Sequence, residues 1–242
     1  MRLLVAVAHP DDESFGCGSV LAHATAAGLE AAVVCATRGE LGEVSGGAVM
    51  PDELGRRREA ELRAAATILG VARVGLLGWL DSGVDGEPAP GSLAGADTGD
   101  VVAAIGEIVD EVRPHVIVTL DGSDGHRDHA VVRDATLAAV ERTSWRPGRV
   151  YLWCLARSLF ERLDDDRWLG TPDEEITTVV DVNSHLATRW RAMRAHVSQI
   201  PPYDGMPREL QDAFLATDRL RRVVPPWPGG ETESDWIPPG DG

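Results

Sequence analysis

The sequence contains no lysine, so all 23 of its basic residues are arginines, and 39 acidic residues outnumber them. The resulting net charge of −16 argues against nucleic acid and anionic membranes as main partners, because both need a basic surface that neutralises phosphate groups. No apolar run is long enough to form a transmembrane helix. We therefore expect a protein that binds no nucleic acid and does not insert into a membrane.

Cysteine is also scarce. The three cysteines, Cys17, Cys35 and Cys154, form no CxxC pair and lie in apolar surroundings, which is typical of reduced thiols in a protein core. A strand-like segment begins close to residue 1, with no charged leader or cleavage-type sequence before it. Both observations predict a cytoplasmic protein without a targeting segment.

Short apolar runs alternate with segments of helical periodicity along the chain. The predicted strands lie over 3–7, 31–36, 74–77, 116–120, 150–155 and 176–182. The predicted helices lie over 14–27, 54–69, 101–112, 130–142 and 187–196. This alternation predicts an α/β fold of Rossmann-like topology, with a mostly parallel sheet flanked by helices in three α/β/α layers.

The length of the chain and the composition of its C-terminal segment predict the domain organisation. A chain of 242 residues can bury a sizeable core, and one domain over 1–224 is expected. Residues 225–242 are rich in proline, glycine and acids. We expect this tail to wrap the surface or to be poorly ordered.

Two predicted strands end in clusters of histidine and aspartate. The segment 9–13 follows the first strand, and the segment 124–129 follows the strand over 116–120. Because the carboxyl ends of parallel strands lie at one edge of a sheet, the two clusters can meet in space. Two imidazoles and one carboxylate with an open position form the ligand set of a hydrolytic zinc site. His9, Asp12 and His129 could supply that set.

The remaining residues of the two clusters suit amide hydrolysis. Asp11 lies beside a candidate ligand and could act as general base toward water. His126 could stabilise an oxyanion, and Asp128 could orient His126 and keep it protonated.

Each cluster taken singly has a simpler interpretation. The segment 9–12 could be a turn with a helix-capping acid, and the segment 124–129 could be a solvated loop. Their joint occurrence at two strand ends favours the metal site. Gly16 and Gly18 match part of a dinucleotide-binding pattern, but its third glycine is missing at the expected spacing. We expect these glycines to let a helix pack close to the sheet.

The motifs resemble those of the LmbE-like or PIG-L superfamily of zinc-dependent N-acetylglucosaminyl de-N-acetylases, and most closely its mycothiol-type deacetylase and amidase branch. The matching segments are 8–13 (AHPDDE), 37–40 (TRGE), 58–62 (REAEL), 81–83 (DSG), 126–129 (HRDH) and 195–199 (AHVSQ). The resemblance implies a Zn²⁺ ion bound by His9, Asp12 and His129, with Asp11 as base. It also implies that His126 and Asp128 stabilise the tetrahedral intermediate.

The resemblance further implies that Arg58, Asp81 and His196 contact the substrate. Each has a structural alternative: a salt bridge of Arg58 on the helix surface with Glu61 or a neighbouring acid, an ordinary turn at Asp81, and a structural histidine at His196. Arg127 stands where relatives commonly carry proline, and the preceding loop lacks an aromatic residue often found there. These departures leave the candidate ligands intact and put the substrate in doubt.

The implied activity is hydrolysis of the acetyl group from an N-acetylglucosamine-type substrate. The alternatives are an amidase on a mycothiol-type thiol–sugar conjugate, a deacylase of a natural-product sugar intermediate, and a metal- or sugar-binding module without turnover. A binding module would enclose its metal with a fourth protein ligand, whereas a catalyst keeps an open position. The expected partner is a small N-acylated amino sugar, and a homo-oligomer is possible.

Overall fold

A seven-stranded sheet forms the centre of the computed structural model, which describes residues 1–44, 49–161, 169–201 and 205–238. The strands are β1 (Arg2–Val7), β2 (Glu30–Cys35), β3 (Arg73–Leu76), β4 (Val116–Leu120), β5 (Arg149–Trp153), β6 (Thr178–Asp181) and β7 (Thr217–Val224). Across the sheet their order is β3-β2-β1-β4-β5-β7-β6. β1 to β5 are parallel, and β7 pairs antiparallel with both β5 and β6. The predicted mostly parallel α/β sheet is confirmed.

Helices cover both faces of this sheet. They are α1 (Asp12–Phe15), α2 (Gly18–Ala26), α3 (Pro51–Ile68), α4 (Thr98–Val112), α5 (Arg127–Arg142), α6 (Arg157–Glu161), α7 (Leu186–Met193) and α8 (Arg208–Leu215). Side chains of α2, α3 and α7 form the core on one face, and those of α4 and α5 form the core on the other. The predicted three layers are therefore present.

The apolar run of β1 shows why the central strands could be predicted. Leu3, Val5 and Val7 belong to the core under α2, α3 and α7, whereas Leu4 and Ala6 belong to the core under α4 and α5. All five side chains are buried. Successive strand residues point to opposite faces, so a strand covered on both sides is apolar throughout.

The helix predicted over 14–27 is divided into α1 and α2 at Gly16 and Cys17. Gly16 packs tightly: a Cβ atom placed there would come within 2.8 Å of the Leu120 side chain in β4. The close approach expected at Gly16 is thus observed. The division has a physical cause, because Arg189 of α7 donates hydrogen bonds to the carbonyls of Phe15 and Gly16.

The described part of the C-terminal segment packs on the sheet. The main chain of Glu233 pairs with Val179 in β6 and with Thr177 just before it, and Trp236 is fully buried in the core. The division of the chain after residue 224 stays a prediction. Among the helices in the described ranges, none combines the length and apolar character needed to cross a bilayer.

Candidate active site

Adjacent parallel strands bring the two His/Asp motifs together. The motif over 8–13 follows β1, the motif over 124–129 follows β4, and the two strands pair directly. The ring centroid of His9 lies 4.6 Å from that of His126 and 5.3 Å from that of His129. Residues from distant parts of the chain therefore form one cluster at the carboxyl edge of the sheet.

Asp12 occupies the centre of the cluster. Its Oδ2 accepts hydrogen bonds from the main-chain N–H groups of Ala8 at 3.1 Å and His9 at 2.8 Å. Its Oδ2 also lies 3.7 Å from Nδ1 of His9, and its Oδ1 lies 3.2 Å from Nε2 of His129. The carboxylate thus stands between the two histidines with which it is predicted to bind a metal.

The electrostatics of this cluster favour a positive charge. Burial lowers the pKa of His129, but Asp12 and Asp124 outweigh it and raise that pKa well above its ordinary value. Burial raises the pKa of Asp12, but the facing rings of His129 and His9 outweigh it and lower that pKa overall. Buried acids that keep neighbouring imidazoles protonated would also stabilise a bound cation.

The donor atoms fit a metal ion. His9, His126 and His129 each offer a ring nitrogen within 4.8 Å of the others, and so do the donor atoms of His9, Asp81 and Asp128. Within the described ranges, Oδ1 of Asp128 is buried without a hydrogen-bond partner, and the buried Nε2 of His129 has only the Asp12 carboxylate beside it at 3.2 Å. Buried polar atoms normally have hydrogen-bond partners, so atoms of this kind that lack one and can bind a metal point to an ion. Asp12 is in neither three-residue group, and its role as ligand stays a prediction.

His126 is a neutral hydrogen-bonding group in this arrangement. Its Nδ1 accepts from the main-chain N–H of Asp128 at 3.2 Å, so the proton of the neutral ring resides on Nε2. Burial, with positive charge on His9 and His129, lowers the pKa of His126 to about 4. The carboxylate of Asp128 contacts Nε2 of His9 at 3.2 Å and the N–H of Ser82 at 3.0 Å. His126 is therefore a neutral donor, not the protonated ring that the sequence suggested.

Asp11 has an unusual backbone and a perturbed carboxyl group. Its φ of 124° lies where residues with a side chain are rarely found. Its N–H donates to Oε2 of Glu13 at 2.9 Å, and its Oδ2 accepts from Arg58 at 2.8 Å. Burial raises the pKa of Asp11 to about 6, against the opposing charge of Arg58. A carboxyl group with a pKa near neutrality suits a general base.

The structure places Arg58 behind Asp11. Its side chain is only 4% exposed, and it donates to the carbonyls of Gly39 at 2.7 Å and Pro10 at 2.8 Å as well as to Asp11. The alternative of a salt bridge on the helix surface is wrong for Arg58, because the side chain is buried. Its predicted contact with substrate stays a prediction.

Asp81 and His196 differ in their distance from the cluster. Oδ1 of Asp81 lies 3.7 Å from Nε2 of His9, so Asp81 belongs to the cluster. It also accepts from the N–H of Gly83, as the turn alternative expects. His196 is buried and contacts Glu13, with 2.7 Å between Nε2 and Oε1. The substrate roles of both residues stay predictions.

The sequence pattern of the GlcNAc-PI de-N-acetylases, the PIG-L family, matches residues 4–140. That range is more than half of the chain and contains both His/Asp motifs. The chain belongs to the PIG-L family. The resemblance inferred from the motifs is confirmed.

Related proteins agree with membership of the PIG-L family. The chain is 38% identical over 230 residues to a 1D-myo-inositol 2-acetamido-2-deoxy-alpha-D-glucopyranoside deacetylase of Mycolicibacterium gilvum (strain PYR-GCK), with 82% of this chain and 81% of that protein covered. N,N'-diacetylchitobiose deacetylase from Pyrococcus horikoshii has a similar structure, with a TM-score of 0.67 at 17% identity over 91% of this chain and 83% of the other.

A second structural neighbour has a similar fold and a different named activity. The 4-carboxy-2-hydroxymuconate hydratase of Pseudomonas putida KT2440 has a TM-score of 0.66 at 19% identity, with 95% of this chain and 98% of that chain covered. A deacetylase and a hydratase thus share this PIG-L-like architecture. The function must be argued from the site and not from the fold.

Sequence reasoning missed two acids of this PIG-L site. Glu13 is fully buried and accepts hydrogen bonds from the Asp11 main chain and the Ser14 side chain. Asp124 contacts both histidines of the second motif. Both acids lie inside the quoted motifs, so their position was a usable signal. Their partners depend on contacts that appear only once the two loops are folded together.

Proposed function

We propose that the protein is a zinc-dependent hydrolase that removes the acetyl group from an N-acetylglucosamine-type substrate. The observation that carries this proposal is the convergence of His9, Asp12 and His129 at one sheet edge. Membership of a de-N-acetylase family supports it. So does the similarity to a deacetylase whose named substrate is an acetamido sugar joined to inositol.

His9, Asp12 and His129 would hold the ion. Two imidazoles and one carboxylate are the protein ligands of hydrolytic zinc sites, and such a ligand set would leave room for water or substrate on the ion. When bound, zinc supplies Lewis acidity that polarises an amide carbonyl and activates water.

Asp11 would move the proton during hydrolysis. Its carboxylate takes a proton from the attacking water and returns it to the nitrogen of the leaving amine. The raised pKa of Asp11, about 6, suits both steps near neutral pH. Arg58 holds the carboxylate in place through a 2.8 Å contact, and its positive charge opposes the rise in the pKa of Asp11.

His126 would stabilise the charge that develops on the carbonyl oxygen. The hydrogen bond from the Asp128 main chain to Nδ1 leaves Nε2–H as the donor, and a preorganised donor of this kind lowers the barrier to acyl transfer. The Asp128 carboxylate contacts Nε2 of His9 and accepts a hydrogen bond from Ser82 N–H, and so holds the His9 ring and the loop at Ser82 in place. Asp81, with Oδ1 at 3.7 Å from Nε2 of His9, would accept a hydrogen bond from a sugar hydroxyl.

Acetate release tests this proposal. The purified protein is stripped of metal, reloaded with zinc, and incubated with a panel of N-acetylglucosaminides that includes the inositol-linked sugar. We expect acetate to form with zinc, to cease with chelator and to return when zinc is restored. Asp11→Asn should keep its zinc and lose about 10²- to 10⁴-fold in kcat.

The panel also separates the alternatives. A thiol–sugar conjugate is included, and release of an N-acylated cysteine in place of acetate would identify the amidase. No product from any compound, with zinc bound stoichiometrically, would support the binding module. Acetate release that chelator leaves unchanged would contradict the metal-dependent mechanism.

A further inference from the structure

Asp124 joins the two histidines of the second motif. It lies in the loop between β4 and α5, and its Oδ1 accepts from the main-chain N–H of His126 at 3.1 Å. Its Oδ2 lies 2.5 Å from Nδ1 of His129. Both carboxylate oxygens are thus occupied, and the side chain is only 16% exposed.

The contact with Oδ2 determines which nitrogen of His129 carries a proton. A neutral imidazole has one N–H donor and one acceptor nitrogen, and an ionised carboxylate can only accept. When the ring is neutral, as a metal-binding imidazole is, Nδ1 of His129 must therefore carry the proton, and the lone pair of Nε2 is free for a metal. Nε2 is the atom that lies 3.2 Å from Oδ1 of Asp12, inside the candidate metal cluster.

The cap of α5 does not account for this second contact. His126 itself occupies the N-cap position and accepts from the main-chain N–H of Asp128. The hydrogen bond that Oδ1 of Asp124 accepts from His126 N–H is enough to hold the turn before α5. The Oδ2 contact acts on the His129 ring alone, as carboxylates do that orient metal-binding histidines.

We propose that Asp124 is a positioning residue that holds His129 with Nε2 directed at the metal, and that it thereby raises metal affinity. The inference rests on the proposed metal site, in which His129 is a ligand. Asp124 itself is outside the predicted ligand and catalytic sets.

Two substitutions separate the ring contact from the turn. In Asp124→Asn, the amide oxygen can serve either His126 N–H or His129 Nδ1–H but not both, and its NH2 group would favour the wrong tautomer of His129. In Asp124→Ser, the hydroxyl can still accept from His126 N–H but is too short to reach the ring. Asp134→Asn is the matched control, because it makes the same charge change on α5 at a carboxylate that is 62% exposed and pairs with Arg133.

Zinc affinity is measured for the four proteins by competition with a chromophoric chelator, after circular dichroism confirms that each is folded. We expect both Asp124 variants to raise the zinc dissociation constant about 10- to 100-fold, and the control to leave it nearly unchanged. Asp124→Asn with the affinity of the control would overturn the proposal. A wild-type protein that binds no zinc would overturn the metal site itself, so the two failures are distinguishable.

A measurement on the unaltered protein keeps the inference testable if the variants fold poorly. Proton–nitrogen NMR of the zinc-loaded wild type identifies the protonation of each histidine ring. We expect His129 to carry a hydrogen-bonded proton on Nδ1 and to bind zinc through Nε2. Zinc bound through Nδ1 of His129, or an Nδ1 without a proton, would overturn the proposal.

Discussion

Replacing Arg58 with methionine should destabilise the protein through the turn that carries Asp11. The guanidinium contacts the Asp11 carboxylate and the carbonyls of Pro10 and Gly39. Asp11 has a φ of 124°, a conformation that persists only where its surroundings hold it. Methionine keeps much of the apolar stem and removes every donor.

The magnitude follows from what the substitution leaves behind. Removing one partner of a buried ion pair costs about 3–5 kcal/mol, because the other charge stays buried. The Asp11 side chain is 17% exposed and can take up a proton, so about 3 kcal/mol, the lower end of that range, is expected.

The loss should depend on pH. Arg58 lowers the pKa of Asp11, which burial raises to about 6. Without Arg58 the pKa of folded Asp11 rises further above its unfolded value, so the folded variant binds more protons than the unfolded chain. Its stability then falls as pH rises, and the variant should lose more relative to wild type at about pH 8 than at about pH 5.

Urea unfolding in the presence of chelator measures these differences without a contribution from metal. Arg56→Met is the control, because Arg56 lies on the same helix with 64% of its side chain exposed, and it should cost less than about 0.5 kcal/mol. In an Asp11→Asn background, Arg58→Met should cost at least about 1 kcal/mol less than in wild type. The reasoning is refuted if Arg58→Met costs no more than Arg56→Met.

Three further predictions concern other contacts of the site. His126→Ala should lower kcat about 10²- to 10³-fold while metal analysis finds unchanged zinc, whereas loss of zinc would make His126 a ligand. Arg127 donates to the carbonyls of Val84 and Gly86, so Arg127→Ala should loosen that loop and raise KM more than it lowers kcat. Steady-state kinetics with an unchanged KM would contradict this role. Burial lowers the pKa of His196, but Glu13 outweighs it and raises that pKa overall. The contribution of the His196–Glu13 pair to folding stability is therefore complete below the pKa of an unfolded histidine, and it is lost as the pH rises through the higher pKa of folded His196. In urea unfolding, His196→Asn should thus lower the free energy of unfolding more at about pH 5 than at about pH 9. An equal cost at both would count against the ion pair.

The central strands and the two motifs were predictable because their signals are local. β1 and β4 are covered on both faces, so their sequences are apolar apart from Arg2 at the start of β1 and Thr119 in β4. Each run stops at a polar motif, and parallel pairing of neighbouring strands then brings the motifs to one edge. Composition, periodicity and this one topological rule were enough for the class of fold and the place of the site.

β7 could not be predicted from its own sequence. It contains Asp218, Arg219, Arg221 and Arg222, a composition that does not indicate a strand inside a sheet. Its charges are accommodated by distant partners: the Asp218 carboxylate accepts from Trp153 and from Ser19, and Arg222 pairs with Glu233. Such compensation is visible only in the folded chain.

The contacts among the site residues could not be predicted, for the same reason. The sequence predicts that Asp128 orients His126; the contact is made by the Asp128 main-chain N–H, whereas the Asp128 carboxylate contacts His9, from the other motif. The structural alternative for Arg58, a salt bridge on the helix surface, is wrong because the side chain is buried behind Asp11. Spacing within a motif shows which residues meet at the site, whereas the pairing among them depends on how two loops interlock.

Anomalous diffraction at the zinc edge, from crystals of the zinc-loaded protein, tests the central claim most directly. We predict one peak at the carboxyl edge of β1 and β4, with His9, Asp12 and His129 as ligands at about 2.0–2.2 Å and one position open to solvent. No peak at this edge, or an ion enclosed by four protein ligands, would contradict the account.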